Sequence, residues 1–543
     1  MTVGSSIRSL LPSWHDYRAV KRTWRGDIVA GITVGIVALP LALAFGVSSG
    51  AGAESGLITA IIAGVVAAVF GGSNIQVSGP TGAMVVVLGP VVVAHGAGVV
   101  ALVSLAAGIV VVVAGALRLG RVVSYIPWPV IEGFTLGIAV IIFLQQVPPA
   151  IGATAGKSSN ALVAAVESFA SVKAETVAWA IGAVAVVAVV MILAPRIHPK
   201  LPGSLIAIVL VSVTASLAHL PLARIGALPS SLPAPTLPAI DLATLGSLVG
   251  PIFTVAALAA IESLLSARVG AALADTGTYD PDRELVGQGL ASVASGFFGG
   301  MPATGAIART AVNVRSGGRT RLAAIIHSFV LLGIVALASG VVSGIPLAAL
   351  AGVLMVTATR MVSVSTVRSV VGSTRSDTVV FVLTALITVS FDLIVAVGIG
   401  IAVAAFFALR TLSKSGGVHR EPLPSPALPG DEHIALFRFE GALFFGAAER
   451  MLDQVTQITG VDVVILRLSQ LQVMDATGAR VITEMIHGLE RRGITVLVKG
   501  IQERHLQLAT RVGVISSLRH QKHLFDDLDA AIDHARSHVR VRS

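Results

Sequence analysis

Gly299–Thr310 reads GGMPATGAIART, and an earlier stretch, Gly71–Met84, reads GGSNIQVSGPTGAM. Each follows a Phe at the end of an apolar run and opens on Gly-Gly. Each then passes through residues suited to extended backbone, breaks at Gly or Pro-Gly, and re-enters an apolar helical pattern. In hydrocarbon such a break leaves backbone N–H and C=O groups unpaired, so it is tolerated only where it is buried in protein or lines a polar cavity. One break in each half of a membrane chain points to a binding site between them.

The rest of the chain supplies the membrane context. Of 543 residues, 54% are hydrophobic and 12% charged, against about 25% charged in a globular protein. Uncharged runs cover Ile28 to Val47, Ser55 to Leu117, Thr176 to Ala194, Leu322 to Thr359 and Thr378 to Phe391. At about 20 residues per crossing, a core of roughly 400 residues holds about 12 to 14 spans. With no Cys, disulfides, thiolate catalysis and Cys-ligated metals are excluded. The formal charge of +9 belongs to topology and not to nucleic acid. No nucleophile, base and orienting group converge, so no enzyme, cofactor or metal site is expected.

The basic residues set the expected orientation. Met1 to Asp27 carries Arg8, Arg18, Lys21, Arg22 and Arg25 and lacks the features of a signal peptide, which places it in the cytoplasm. Further clusters fall at Arg118/Arg121, Arg196/Lys200, Arg268/Arg283, Arg315/Arg319/Arg321 and Arg360/Arg368/Arg375, on that same side. The alternation predicts about fourteen spans with both ends in the cytoplasm.

An internal repeat joins the two breaks. Laying Gly56–Gly72 on the later run with a shift of 228 residues matches Leu57, Ala63, Val65, Phe70, Gly71 and Gly72 with Leu285, Ala291, Val293, Phe298, Gly299 and Gly300. Seven spans per repeat invert the second copy relative to the first. The short helices after the breaks, beginning near Pro80 and near Ile307, then aim their N-termini at each other. A helix N-terminus offers unpaired N–H groups and about half a positive charge, which favours an anion.

Two ionisable residues stand out. Glu262 lies deep in the span before the second repeat's break, where a carboxylate is costly, and reads as a coupling or site residue, the alternative being a structural partner of Arg309 or Arg268. Ser266, at i+4, faces the same way. Arg309, one turn past the second break, either adds positive charge to the anion site, pairs with Glu262 or snorkels towards the membrane surface. Glu132 reads as interfacial, and His95 and His327 as structural.

Past Arg410 the composition changes. Residues 1–27 are expected as a cytoplasmic segment, 28–410 as the membrane domain, 411–432 as a linker and 433–543 as a compact domain of alternating strands and helices.

These residues resemble a known family. Ile75–Met84, Pro129–Phe134 and Pro302–Thr310 followed by Arg315–Thr320 are similar to the third, fifth and tenth spans of the SulP anion transporters. The tail resembles their STAS domain. The resemblance implies a polytopic α-helical membrane protein of 14 spans, built as a 7+7 inverted repeat with two broken helices and closed by a cytoplasmic α/β STAS domain. It also implies elevator-like movement of a core against a gate, as a homodimer. The implied anion site maps onto Ser78, Gly79, Pro80 and Thr81 and onto Thr304, Gly305, Ala306 and Arg309, and the coupling position onto Glu262 with Ser266 beside it. Relatives coupled to sodium carry Asp where this chain has Glu262, which favours a proton. The Asp475-Ala476-Thr477-Gly478 loop has Ala where relatives are phosphorylated, and Thr477 reads as a helix N-cap.

The expected activity is secondary active transport of a small inorganic oxyanion, sulfate first, proton-coupled, in the cell (inner) membrane among lipid. Bicarbonate or dicarboxylate transport, a passive anion channel and a nucleobase permease are the alternatives.

Overall fold

The computed structural model describes residues 10–540 apart from 122–125, 157, 159, 199–200, 239–241, 392, 425–426 and 446–447. It divides into two compact units, Met1–Ile401 and Ala402–Ser543.

The first unit is helical. Among the described residues nine helices are long and apolar enough to cross a membrane, including Val20–Ser48, Ala53–Phe70, Ala97–Ala116 and Arg321–Ser343. The elements that frame the site are α1 (Gly82–His95), α2 (Leu242–Leu273), α3 (Pro281–Phe297), α4 (Ile307–Arg315) and α5 (Arg321–Ser343). At 14 and 9 residues, α1 and α4 are about 21 Å and 14 Å long, well short of a hydrocarbon core of about 30 Å. Each is one half of a crossing whose other half is extended chain.

The packing of the two repeats is reciprocal. Helix α5 of the second repeat packs against Val20–Ser48 and Ala53–Phe70 of the first, and Val100–Ala116 of the first packs against α2 and α3 of the second. Small residues permit this closeness, as in other membrane helix pairs. A Cβ on Gly31 would meet the Ala323 carbonyl oxygen at 2.6 Å, and one on Gly108 the Gly289 carbonyl oxygen at 2.6 Å.

The extended pieces pair with each other. Strand β1 (Ser78–Gly79) runs antiparallel to β2 (Thr304–Gly305), with Ser78 opposite Gly305 and Gly79 opposite Thr304. The Ala306 N–H adds a bond to the Val77 carbonyl at 2.9 Å. Each break thus satisfies the backbone groups that the other exposes, which is how irregular chain is tolerated at membrane depth.

The second unit carries a five-stranded sheet in the order β3 (Gly417–Glu421), β4 (Ile434–Leu443), β5 (Val463–Met474), β6 (Thr495–Lys499) and β7 (Leu524–Phe525). Strands β4 to β7 are parallel and β3 is antiparallel to β4. The last helix is α6 (Leu528–Arg540), whose Ala531, Ile532 and Ala535 pack with Ile434, Val463 and Leu497. The stretch 411–432, expected as linker, contains the end of the helix Leu393–Ser415 and all of β3. The strand forms because Glu421 pairs with Arg438 at 2.6 Å and with Arg467 at 3.0 Å, closing the edge of the sheet. Thr477 is not an N-cap. That position is Asp475, whose carboxylate accepts from the Gly478 N–H at 2.7 Å, so the helix Ala476–Arg491 begins before Thr477.

Candidate functional site

The two half-helix N-termini are built alike. Helix α1 has Thr81 at its N-cap and α4 has Ala306, both in extended conformation, and neither side chain caps its own helix. The backbone N–H groups of residues 82–84 and 307–309 therefore lie outside the intrahelical pattern, where anions bind.

Thr81 is turned away from capping because its hydroxyl has another acceptor. Its Oγ1 donates to Oε2 of Glu262 at 2.8 Å, and Thr304 Oγ1 lies 2.8 Å from the same oxygen. The two hydroxyls are 3.1 Å apart. One carboxylate oxygen on α2 thus ties both breaks together. Next to it, Ser263 Oγ accepts from the Gly305 N–H at 3.1 Å.

Arg309 is buried, 2% exposed, and joins the halves in the other direction. Its Nη2 donates to the Pro80 carbonyl, while Nη1 has no hydrogen-bond partner. That Nη1 lies against Gly79, where a Cβ would stand 2.6 Å from it. Among the described residues Arg309 is in no ion pair. Of the readings open to it, pairing with Glu262 is not adopted in the geometry. Its unpaired guanidinium nitrogen and the half-helix N–H groups together form a donor-rich place for an anion.

Of the ten residues expected at the site, Ser78, Gly79, Pro80, Thr81, Thr304, Gly305, Ala306, Arg309 and Glu262 are brought together at the β1–β2 crossing. Ser266 is on the same helix but turned to α4. Its Oγ is 3.3 Å from Thr310 Oγ1, which accepts from the Val77 N–H at 3.1 Å. Ser266 therefore braces the crossing from behind. Glu132 bonds Trp128 Nε1 at 3.0 Å on an exposed face. His327 is fully buried in α5.

A second carboxylate escaped the sequence reading. Glu284, buried in the first turn of α3, accepts from the N–H groups of Gly72 and Ser73 at 2.8 and 3.1 Å through Oε2. Its Oε1 accepts from Gln76 Nε2 at 2.9 Å and Gln288 Nε2 at 3.1 Å, and Gln288 also bonds Ser78 Oγ. Arg321, 2% exposed, donates through Nη1 to the Ala68 and Gly71 carbonyls at 3.0 and 2.6 Å. Together they close the end of Ala53–Phe70 and aim the chain into β1. The available signal was a Glu and two Gln beside runs that otherwise carry no charge.

Known proteins are similar to this chain over most of its length. A sequence model of the sulfate permease family matches residues 24–384, and one of the STAS domain matches 425–531. The putative sulfate transporter YvdB of Bacillus subtilis is 32% identical over 513 residues, covering 93% of this chain and 96% of its own. The bicarbonate transporter BicA of Picosynechococcus is 30% identical over 521 residues, covering 90% and 91%. The solved transmembrane domain of a cyanobacterial BicA is 31% identical, covers 70% of this chain and 97% of its own, and superposes with a TM-score of 0.61. Murine Slc26a9, in the inward-facing state, shares the fold at a TM-score of 0.86 with 16% identity, covering 98% and 95%.

Proposed function

This chain belongs to the sulfate permease family, and from that premise we propose that it is a secondary active transporter of a small inorganic oxyanion, sulfate first, coupled to protons. The observation that carries the reading is Arg309, buried with an unpaired nitrogen where two uncapped half-helix N-termini meet. A doubly charged oxyanion satisfies several such donors at once. The substrate-binding group is Ser78 to Thr81 with Thr304, Gly305, Ala306 and Arg309.

Glu262 is the proton carrier in this proposal. Ionised, it only accepts from the two hydroxyls and its charge repels an anion; protonated, it carries an O–H donor of its own and its charge no longer opposes one. The two hydroxyls that reach Oε2 make the crossing sensitive to that change. The core helices then move against the rest in an elevator-like manner, in a homodimer within the cell (inner) membrane with both termini cytoplasmic.

Bicarbonate is the second reading, favoured by the cyanobacterial transporters that match nine-tenths of the chain. Uptake of labelled sulfate, bicarbonate and fumarate into liposomes, with and without an inward proton gradient, separates these outcomes. Sulfate accumulating above equilibrium only with the gradient supports the proposal. Uptake that never exceeds equilibrium makes the protein a passive anion channel.

A further inference from the structure

The second unit gathers three histidines that the sequence reading did not connect. His523 ends a short turn, Gln521–His523, just before β7, and His534 and His538 lie on α6. One ligand nitrogen from each falls within 4.8 Å of the others.

The pair on α6 is spaced i, i+4, which puts both rings on one helix face. Their Nε2 atoms are 3.3 Å apart. Two nitrogens bound to one tetrahedral Zn²⁺ at 2.0–2.1 Å are separated by about 3.3–3.4 Å. A single N–H···N bond between the rings fits that distance too, but it leaves the third ring unexplained. His523 is 2% exposed, and its Nδ1 is buried without a hydrogen-bond partner.

We propose that His523, His534 and His538 form a binding site for a divalent transition metal, Zn²⁺ first, with water completing a tetrahedral set. Three imidazoles with no thiolate suit Zn²⁺ and Co²⁺ and exclude the hard, oxygen-seeking Ca²⁺ and Mg²⁺. The ion pins the last helix to the turn before β7. The site stands apart from the transport proposal and survives its failure.

The test uses the full chain, purified in detergent without a polyhistidine tag and stripped with chelator. Zn²⁺ is titrated against a chromophoric competitor, and Co²⁺ binding is followed by its visible absorption. The expected result is one tightly held ion per chain, a tetrahedral Co²⁺ spectrum, and a rise in unfolding temperature with Zn²⁺. His534→Ala/His538→Ala should weaken binding about 100-fold or more and abolish the spectrum. His538→Gln, a milder change on a half-buried ring, should reduce affinity while leaving the metal-free unfolding temperature unchanged. Unaltered affinity in the double variant, or a Co²⁺ spectrum of octahedral type, overturns the assignment.

Discussion

The hydroxyls of Thr81 and Thr304 lie 3.1 Å apart, and both stand 2.8 Å from the same oxygen of Glu262. These two threonines are 223 residues apart in the chain, one at the N-cap of α1 and the other in β2. The state of one carboxylate is therefore felt by both half-helices at once.

Glu262→Gln keeps the shape and removes the charge and the titration. It is expected to abolish gradient-driven accumulation while leaving downhill exchange of the anion measurable in liposomes. Gradient-dependent accumulation equal to that of the parent protein assigns coupling elsewhere. Thr81→Val and Thr304→Val each remove one hydroxyl from the carboxylate, a loss of about 1.5–3 kcal/mol for a bond to a charged group. Each should shift the pH dependence of uptake.

Arg309→Met removes the buried cation and is expected to raise the apparent KM for the anion at least about tenfold, the equivalent of 1.4 kcal/mol. Gly79→Ala approaches the same group from the other side, since its Cβ would stand 2.6 Å from Arg309 Nη1. It should weaken anion binding through displacement of the guanidinium, and it should also lower the unfolding temperature, because Gly79 holds φ +154°, which an L side chain rarely adopts. A KM unchanged in both variants removes Arg309 from the site.

Glu284→Ala leaves the Gly72 and Ser73 N–H groups buried without their acceptor. At about 1–3 kcal/mol for each unsatisfied group, the membrane unit should unfold at a clearly lower temperature in detergent. Glu284→Gln retains an acceptor oxygen and should lie between that variant and the parent protein.

Asp16 and Arg283 form a two-bond pair at 3.2 and 2.7 Å that ties the N-terminal turn to α3. Burial raises the Asp16 pKa, but the hydrogen bond and charge of Arg283, with the Ser13 backbone, outweigh it and hold the carboxyl below its ordinary 3.8. A depressed carboxylate contributes stability that is complete above the unfolded value and is lost as the pH falls through the folded one. The contact is therefore expected to persist at pH 5 and to be lost only as the pH falls below the ordinary 3.8. Limited proteolysis of the N-terminal segment across that range checks it, and Asp16→Asn should give the acid-state cleavage pattern at neutral pH.

The membrane character, the two breaks and the repeat were legible in the sequence because hydrocarbon enforces them locally. A charge-free run of sufficient length must be helical, and a Pro-Gly break within it must find partners. The carboxylate in α2 was legible for the same reason, since an ionisable group at that depth is too costly to be incidental. The alternation of strand and helix in the second unit follows from hydropathy, although β3 did not, because its edge position is held by Glu421 reaching two arginines on other strands.

Which partner each polar group takes was decided only by the tertiary structure. Helical spacing put Ser266 on the face of Glu262, yet packing turns it to Thr310, and Arg309 takes the Pro80 carbonyl in place of an ion pair. Glu284 reaches back to Gly72 and Ser73, and His523 meets His534 and His538 across a turn and a strand. Local periodicity says which face of a segment is buried, because burial depends on the run of side chains around it. A hydrogen-bond partner far along the chain depends on how helices and strands close on one another, and that geometry is set by the packing of the whole unit.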